Sequence, residues 1–358
     1  MESPEINPEI RCAFASDASI LYDLLKEYTV EQKLEDVFKN SRASFEEHFN
    51  QALFKAFVIE VKGETENQRN IIGCIFFSIF YEYVVGVTAF PHCCYIKPDF
   101  RDLGFEQKLI QHAKKISGDA NIDKMLTLLT PSDAKYGRAL MNEGIINLSR
   151  SIEIEVWIMT NQTSTNTLTY DDYIIRDGTE EDLSKVYDLL EELVEIEDIT
   201  ADFVVNKDDF ERDGATDKNL FSCVVLERRH RVEDQSEETE INNEIVGCML
   251  YSKMYCVLMG QLYFLQGLYL KQEHKGKGLG KALLRSTLQA CKKCTGDGFI
   301  FMILKENKTS QSLFQSFHAI SIVKSSHIEW LNTTHIQLII SIMIVLYLTN
   351  PTLAFGQR

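Results

Sequence analysis

The sequence has little positive charge and no long apolar run near its start, and each shortage excludes a class of protein. Lys and Arg number 37 against 53 Asp and Glu, which gives a formal net charge of −16. Such a chain repels phosphate backbones, so we expect no nucleic-acid partner. The N-terminus is acidic and lacks the apolar segment of a signal peptide, and we therefore expect a cytoplasmic protein.

A long apolar run is also missing at the other end. Residues 336–348 read IQLIISIMIVLYL, which is thirteen residues. A membrane-spanning helix needs about 20 residues, so we do not expect a membrane protein. The β-branched residues favour a buried strand that closes the second half of the chain. A membrane tail anchor is the alternative interpretation.

Paired cysteine motifs with metal-ligand spacing are absent too. There are nine cysteines, an odd number, and Cys291 and Cys294 form a C-x-x-C motif without a second pair at zinc spacing. We therefore expect reduced thiols and no metal site.

What the sequence does contain is an internal repeat. The tetrapeptide YDLL occurs at 22–25 and again at 187–190, an offset of 165 residues. The offset later becomes 174, and the nine extra residues fall in a charged stretch after residue 227 that is typical of a surface loop. A single change of offset, placed in a loop, indicates a true duplication. The other matching pairs are Ile10-Arg11 with Ile175-Arg176, Asp17 with Asp182, Phe45-Glu46 with Phe210-Glu211, Gly73-Cys74 with Gly247-Cys248, Arg101 with Lys275, and Gly104 with Gly278.

The repeat divides the chain into two domains. A polar, aperiodic stretch near residue 165 predicts the linker. We assign residues 1–162 to a first copy, 163–172 to the linker, 173–335 to a second copy, and 336–358 to the apolar C-terminal strand or tail. Each copy alternates strands with helices, and the helix that follows Asp182 has apolar residues at helical spacing. The predicted fold class is therefore α/β (α+β), a mixed central sheet flanked by helices.

The second copy carries a glycine-rich turn between a strand and a helix. The turn runs from Lys271 to Gly280, and a glycine there lets backbone N–H groups approach a phosphate at the positive end of the helix. It is neither a P-loop nor the dinucleotide G-x-G-x-x-G motif. A tight turn with solvated lysines is the structural alternative.

These residues resemble the GNAT superfamily of acyl-CoA acetyltransferases, and within it the diamine (spermidine/spermine) acetyltransferases. The family turn Arg/Gln-x-x-Gly-x-Gly/Ala is matched by Lys275-x-x-Gly278-x-Gly280, and Asn307 falls at the family's Asn after the fifth strand. The resemblance covers most of 173–330 and, more faintly, 8–159. It implies two tandem GNAT-like folds and acetyl-CoA as cosubstrate. The implied cofactor-binding residues are Leu268, Tyr269, Leu270, Lys275, Gly276, Lys277, Gly278, Leu279, Gly280 and Asn307.

The catalytic positions depart from the family pattern. The branch has an acidic pair before the turn, where this chain has Gln266 and Gly267. The family's thiolate-protonating Tyr is replaced by Phe314 in the second copy and by Leu140 in the first. Water or a tyrosine such as Tyr263 or Tyr269 would have to substitute, and the catalytic residues stay unidentified. Acidic residues after the first helix of the second copy, at 195, 197, 198 and 202, are either part of the amine site or a solvated helix end.

The first copy departs further. Glu106 occupies the place of the second turn glycine, where a carboxylate opposes a pyrophosphate, so we expect a degenerate first copy. Two functions follow from the resemblance. The first is an N-acetyltransferase that acts on a small, diamine- or polyamine-like primary amine, with the second copy active and the first structural. The alternative is a catalytically impaired pseudoenzyme that binds CoA or a protein partner. Because the single-domain relatives form dimers, we expect a monomer with an internal pseudo-dimer, or a homodimer.

Overall fold

A computed structural model of the protein describes most of both copies. Of the features discussed above, the linker up to residue 171, Leu140, Cys294, the acidic residue at 202 and the segment 336–348 lie outside the described residues. The described ranges are 7–119, 122, 126–127, 146–147, 154–160 and 172–321, without 33, 36–37, 64–68, 201–202, 216–218, 232–240, 293–297 and 305–306.

The first copy alternates strands with helices in the predicted order. A second short helix, α2, follows the first one and was not predicted from the sequence. The elements are β1 (Glu9–Cys12), α1 (Ala18–Glu31), α2 (Arg42–Asn50), β2 (Lys55–Lys62), β3 (Arg69–Glu82), β4 (Gly86–Ile96), α3 (Phe105–Asp119), β5 (Leu126–Thr127), β6 (Ile146–Asn147) and β7 (Ile154–Thr160).

The second copy repeats this order as far as its fifth strand and then continues with a helix and a short strand. The alternation of strands and helices confirms the α/β class. Its first long helix, α4, buries every apolar residue that the helical spacing selects, and Thr179 and Asp182 form the predicted capping box before it. The elements are β8 (Tyr173–Asp177), α4 (Leu183–Ile196), α5 (Lys207–Gly214), β9 (Ser222–Arg231), β10 (Ile241–Cys256), β11 (Gly260–Leu270), α6 (Leu279–Lys292), β12 (Gly298–Leu304), α7 (Lys308–Gln315) and β13 (Ile320–Ser321).

Apart from a small sheet of β5 and β6, the strands form two sheets, and these do not divide at the predicted linker. The first sheet has the order β1-β2-β3-β4, and the second has the order β13-β7-β12-β11-β10-β9-β8. Strand β7, which precedes the linker, thus lies in the interior of the second copy's sheet. It pairs antiparallel with β12 on one side and with β13 on the other, and Ile158 lies opposite Ile300 and Ile320. The domain boundaries stay a prediction, but one strand crosses between the copies.

The copies also share a core. One apolar cluster contains Leu24 and Phe76 of the first copy together with Leu190 and Tyr255 of the second. Backbone and side-chain hydrogen bonds cross the same contact, among them Asn40 Nδ2 to Val257 O at 2.7 Å. The first copy therefore packs directly against the second copy's sheet.

Each copy keeps the same partly buried charge cluster at its first strand. Arg176 donates to Asp182 at 2.6 Å and to Glu227 at 2.5 Å. The hydrogen bond from Arg176 holds the pKa of Asp182 below its ordinary value. In the first copy Arg11 donates to Asp17 at 2.7 Å and to Glu60 at 3.1 Å. The duplication is thus visible in side-chain contacts as well as in the order of elements.

Within the described part of the chain, no helix has the length and apolar character needed to cross a bilayer. The cysteines described there form no disulfide with one another. The same residues hold no cluster of three His, Cys, Asp or Glu side chains suited to a metal ion.

Candidate functional site

The site lies where two neighbouring strands of the second sheet separate. Parallel pairing between β11 and β12 runs from Leu262 opposite Gly298 to Leu265 opposite Phe301 and then stops. Both strands nevertheless continue, β11 to Leu270 and β12 to Leu304. The split leaves the inner edge of β11 open along its last residues. An extended ligand can pair with such an edge as an added strand.

A bulge in β11 marks the start of the split. Its register with β10 shifts between Cys248 and Leu250, and Gly267 lies there with φ +60°. A side chain at Gly267 would be strained by this φ, and its Cβ would lie 2.7 Å from Leu190 Cδ2. A bulged residue is left out of the ladder, so backbone N–H groups at this point can serve a ligand.

A cavity opens at the split, with walls from both copies. The first copy contributes the end of β3, and the second contributes α4, β10, β11, β12 and α7. Its lining residues are Glu82, Tyr83, Leu193, Glu197, Ile199, Met249, Phe264, Leu265, Gln266, Gly267, Leu268, Phe301, Met302, Ile303, Asn307, Ser310 and Phe314.

The glycine-rich turn follows β11 directly and leads into α6. Gly276 and Gly278 both have φ +79°, which only glycine adopts easily, and α6 begins at Leu279. A Cβ added at Gly276 would meet no atom within 4 Å, so space is open beside the backbone there. The first N–H groups of a helix have no intrahelical acceptor and favour an anion. These residues fit a pyrophosphate.

Two lysines lie beside this turn. Lys275 Nζ lies 5.6 Å from the ring centre of Tyr269, and Lys277 Nζ lies 3.3 Å from Tyr173 Oη. Neither takes part in an ion pair in the described residues, so both add positive charge near the helix end. His274 is different, because it is 2% exposed and its Nδ1 lies 2.9 Å from Tyr173 Oη. His274 therefore connects the turn to β8 and supports its structure.

Two carboxylates from different copies line the cavity. Glu197 follows the last residue of α4 and is half-buried. Burial raises its pKa to about 7, against a hydrogen bond from Asn307 that lowers it. Glu82 ends β3 of the first copy and is fully buried, and its Oε2 accepts the N–H groups of Val84 at 2.8 Å and Val85 at 3.0 Å.

The structure brings several predicted site residues to one place. Gln266, Gly267, Leu268, Asn307 and Phe314 all line the cavity. The two tyrosines considered as substitutes for the family tyrosine, Tyr263 and Tyr269, are not among the described residues that line the cavity.

The side chains of these tyrosines have other neighbours. Tyr263 packs against the rings of Tyr251 and Phe299. Tyr269 Oη donates to Glu192 at 2.8 Å, and burial together with this contact raises the pKa of Tyr269 above its ordinary value. Phe314 stacks on Phe301 with ring centres 3.8 Å apart.

Sequence reasoning missed Glu82 altogether and left Glu197 undecided among four acidic residues. For Glu197 a usable signal exists, since it directly follows the last turn of an amphipathic helix whose apolar face is buried. No signal in the sequence points to Glu82, because its position in the cavity depends on how the two copies pack.

Comparisons with known proteins agree with the repeat. The model of the acetyltransferase (GNAT) family matches residues 18–145 and again 193–319, which is more than half of the chain. Thialysine N-epsilon-acetyltransferase of Sus scrofa is 23% identical over 146 residues, which are 41% of this chain and 83% of that protein.

Spermidine/spermine N(1)-acetyltransferase-like protein 1 of Homo sapiens is 26% identical over 160 residues, which are 45% of this chain and 22% of that longer protein. Among solved structures, a tandem GNAT protein from the clavulanic acid biosynthesis pathway is 12% identical with a TM-score of 0.46, and the match covers 88% of this chain and 95% of that one. The two family matches decide the assignment: this chain belongs to the acetyltransferase (GNAT) family and carries the family fold twice in tandem.

Proposed function

We propose that the protein is an acetyl-CoA-dependent N-acetyltransferase of a small primary amine, diamine- or polyamine-like, with one active site in the second copy. The observation that carries this proposal is the open edge of β11, which joins the glycine-rich turn at one end to a carboxylate-lined cavity at the other. Such an arrangement suits a cosubstrate with a pyrophosphate at one end and a reactive thioester at the other.

The residues of the second copy divide the work of binding. The N–H groups between Lys275 and Gly280 hold the pyrophosphate, with Lys275 and Lys277 adding charge. Leu268, Tyr269 and Leu270 offer backbone groups to the pantetheine arm, and Asn307 faces the cavity beyond them. When bound, acetyl-CoA supplies an activated acetyl group. Backbone N–H groups at the Gly267 bulge are placed to stabilise negative charge on the carbonyl oxygen.

The cavity selects a cation. Its described lining contains two carboxylates, those of Glu82 and Glu197, and neither Lys nor Arg. An amine that enters in its ammonium form is attracted to these groups. The relatives named for thialysine and for spermidine/spermine support an amine acceptor of this kind.

A second candidate is a pseudoenzyme that binds CoA or a protein partner without turnover. The buried Phe314 favours it, because no hydroxyl stands there to protonate a departing thiolate. General acid help is worth about 10²- to 10⁴-fold, however, so its loss slows turnover without abolishing it.

A thiol-release assay separates the two candidates. The full chain is incubated with acetyl-CoA and, in turn, with a monoamine, a diamine, a polyamine and thialysine, and acetyl-CoA binding is measured in parallel by calorimetry. We expect release with at least one cationic amine. Binding of acetyl-CoA without release above background for any amine would favour the pseudoenzyme. Absence of binding would contradict the acetyltransferase and leave only a pseudoenzyme that binds a protein partner.

A further inference from the structure

The strand that supplies the family's acidic pair offers no proton acceptor in this chain. Gln266 Nε2 donates to Tyr81 O at 3.0 Å and to Ser252 Oγ at 3.2 Å, while its Oε1 accepts the N–H of Tyr83 at 2.8 Å. Both ends of the amide are thus committed to the contact between the copies. The next residue is Gly267, which has no side chain. A base for the amine must therefore come from another element of the cavity wall.

Glu197 is placed to take that role. It lies immediately after α4, lines the cavity together with Gly267 and Leu268, and is half-buried there. Asn307 accepts the N–H of Ser310 at 3.0 Å through Oδ1, which turns its Nδ2 toward the Glu197 carboxylate. The carboxylate therefore faces an amide that is itself fixed at the start of α7. Glu195 and Asp198, its acidic neighbours in the sequence, are exposed.

The groups that face Glu197 leave it able to exchange a proton near neutral pH. Burial raises its pKa to about 7, with the Asn307 hydrogen bond acting against the shift. The other titratable side chains in the cavity wall are Glu82 and Tyr83 of the first copy. The lining residues of β11, β12 and α7 carry apolar, amide or hydroxyl groups. A base whose pKa lies near the working pH is the most effective one.

We propose that Glu197 is the general base of the second copy, in place of the acidic pair missing from β11. This inference rests on the proposed function. The carboxylate removes one proton from the ammonium, and the nitrogen lone pair then forms a bond to the thioester carbonyl carbon. The carbon–sulfur bond breaks with its electron pair on sulfur. The nitrogen loses its second proton and the thiolate gains one, so that the products are the N-acetyl amide, CoA thiol and one proton released from Glu197 to water.

The test compares E197Q with E195Q in the full chain. Glu195 lies two residues earlier and is exposed, so E195Q changes the same charge outside the cavity. With the best amine of the panel, we expect kcat of E197Q to fall by about 10²- to 10⁴-fold, with the acetyl-CoA Kd unchanged. The wild-type rate should rise with pH through about 7, the pKa of Glu197, and E197Q should lose this limb. A free primary amine titrates near 10.4, so its own ionisation gives a different profile.

Three results would overturn the inference. One is an E197Q variant that keeps the wild-type kcat and the limb near neutral pH. Another is a change confined to KM, which would make Glu197 a cation-binding residue. The third is a limb that disappears in E82Q but persists in E197Q. A wild type that binds acetyl-CoA but releases no thiol with any amine would contradict the proposed function itself. That result is distinct from the three above, because each of those requires an active wild type.

Discussion

The two turns that follow β4 and β11 have the same backbone but different chemistry. Asp102 and Gly276, which the repeat places opposite each other, have φ +63° and +79°, and Gly104 and Gly278 have φ +75° and +79°. The side chains differ. Arg101 and its counterpart Lys275 each lie 5.6 Å from the centre of a tyrosine ring. Arg101 also donates to the Glu31 carboxylate at 2.5 Å, whereas Lys275 takes part in no ion pair in the described residues. Glu106 stands where the second copy has Gly280. The two turns therefore share a backbone conformation and differ in their side chains.

The two copies also contribute unequally to the contact between them. The first copy sends Glu82 into the second copy's cavity, while the residue at the matching position of the second copy is Cys256. The first copy also sends β7 into the second copy's sheet. The first copy therefore contributes both a strand and a cavity residue to its neighbour. The predictions below test this inequality, from the largest expected effect to the smallest.

The largest effect should come from breaking β7. Ile158 lies opposite residues of two strands, so I158P removes a ladder hydrogen bond in the interior of the second sheet. A buried backbone group left unpaired costs up to about 3 kcal/mol, so we expect a loss of this order in the free energy of unfolding, together with loss of acetyl-CoA binding. Urea unfolding and calorimetry measure the two. I158V is the control, and an I158P variant that still binds acetyl-CoA normally would show that β7 is not needed for the site.

The next effect should come from the turn. G280E places the first copy's carboxylate at the second copy's helix start, where it opposes a pyrophosphate. We expect acetyl-CoA Kd to rise by about 100-fold, which corresponds to about 2.7 kcal/mol. In G280A the new Cβ lies 3.4 Å from Leu270 Cδ1, an ordinary contact, so this control should bind as the wild type does. Equal Kd values for both variants would refute the assignment of the turn.

The repeated charge clusters should respond alike, because they support the fold rather than the ligand. R176L leaves the largely buried carboxylates of Asp182 and Glu227 without their arginine. R11L leaves Asp17 without its arginine and Glu60 with only the more distant Arg69, at 3.6 Å. We expect each to cost on the order of 1–3 kcal/mol of unfolding free energy, without a direct effect on the acetyl-CoA Kd. Thermal unfolding of both variants shows whether the two losses of unfolding free energy are similar. A large loss in one variant and none in the other would show that the copies do not share this stabilisation.

The smallest effect concerns stability against pH. The folded-state pKa of Glu197 is raised to about 7 from 4.5, so the folded state holds a proton that the unfolded state releases between these values. Stability from this group therefore falls as pH rises from about 4.5 to 7. We expect the melting temperature of E197Q to lie above that of the wild type at pH 8. At pH 4.5 the two melting temperatures should be equal. An equal difference in melting temperature at both values would contradict the shift.

The sequence predicted the repeat, the fold class and the turn because each depends on local pattern. Residue spacing selects the buried face of α4, and the glycines at 276 and 278 coincide with positive φ. The pairing of β7 was out of reach, because an apolar strand pattern does not say which sheet the strand joins. Glu82 was out of reach for a similar reason: its place in the cavity depends on the packing between copies.

The number of acetyl-CoA molecules bound per chain tests the central claim most directly. Isothermal titration of the full chain with acetyl-CoA, repeated with G280E, measures it. If only the second copy keeps a working site, the wild type binds one molecule per chain and G280E binds none in the same concentration range. Two molecules per chain, or one that persists in G280E, would contradict the account, because the first copy would then hold a site of its own.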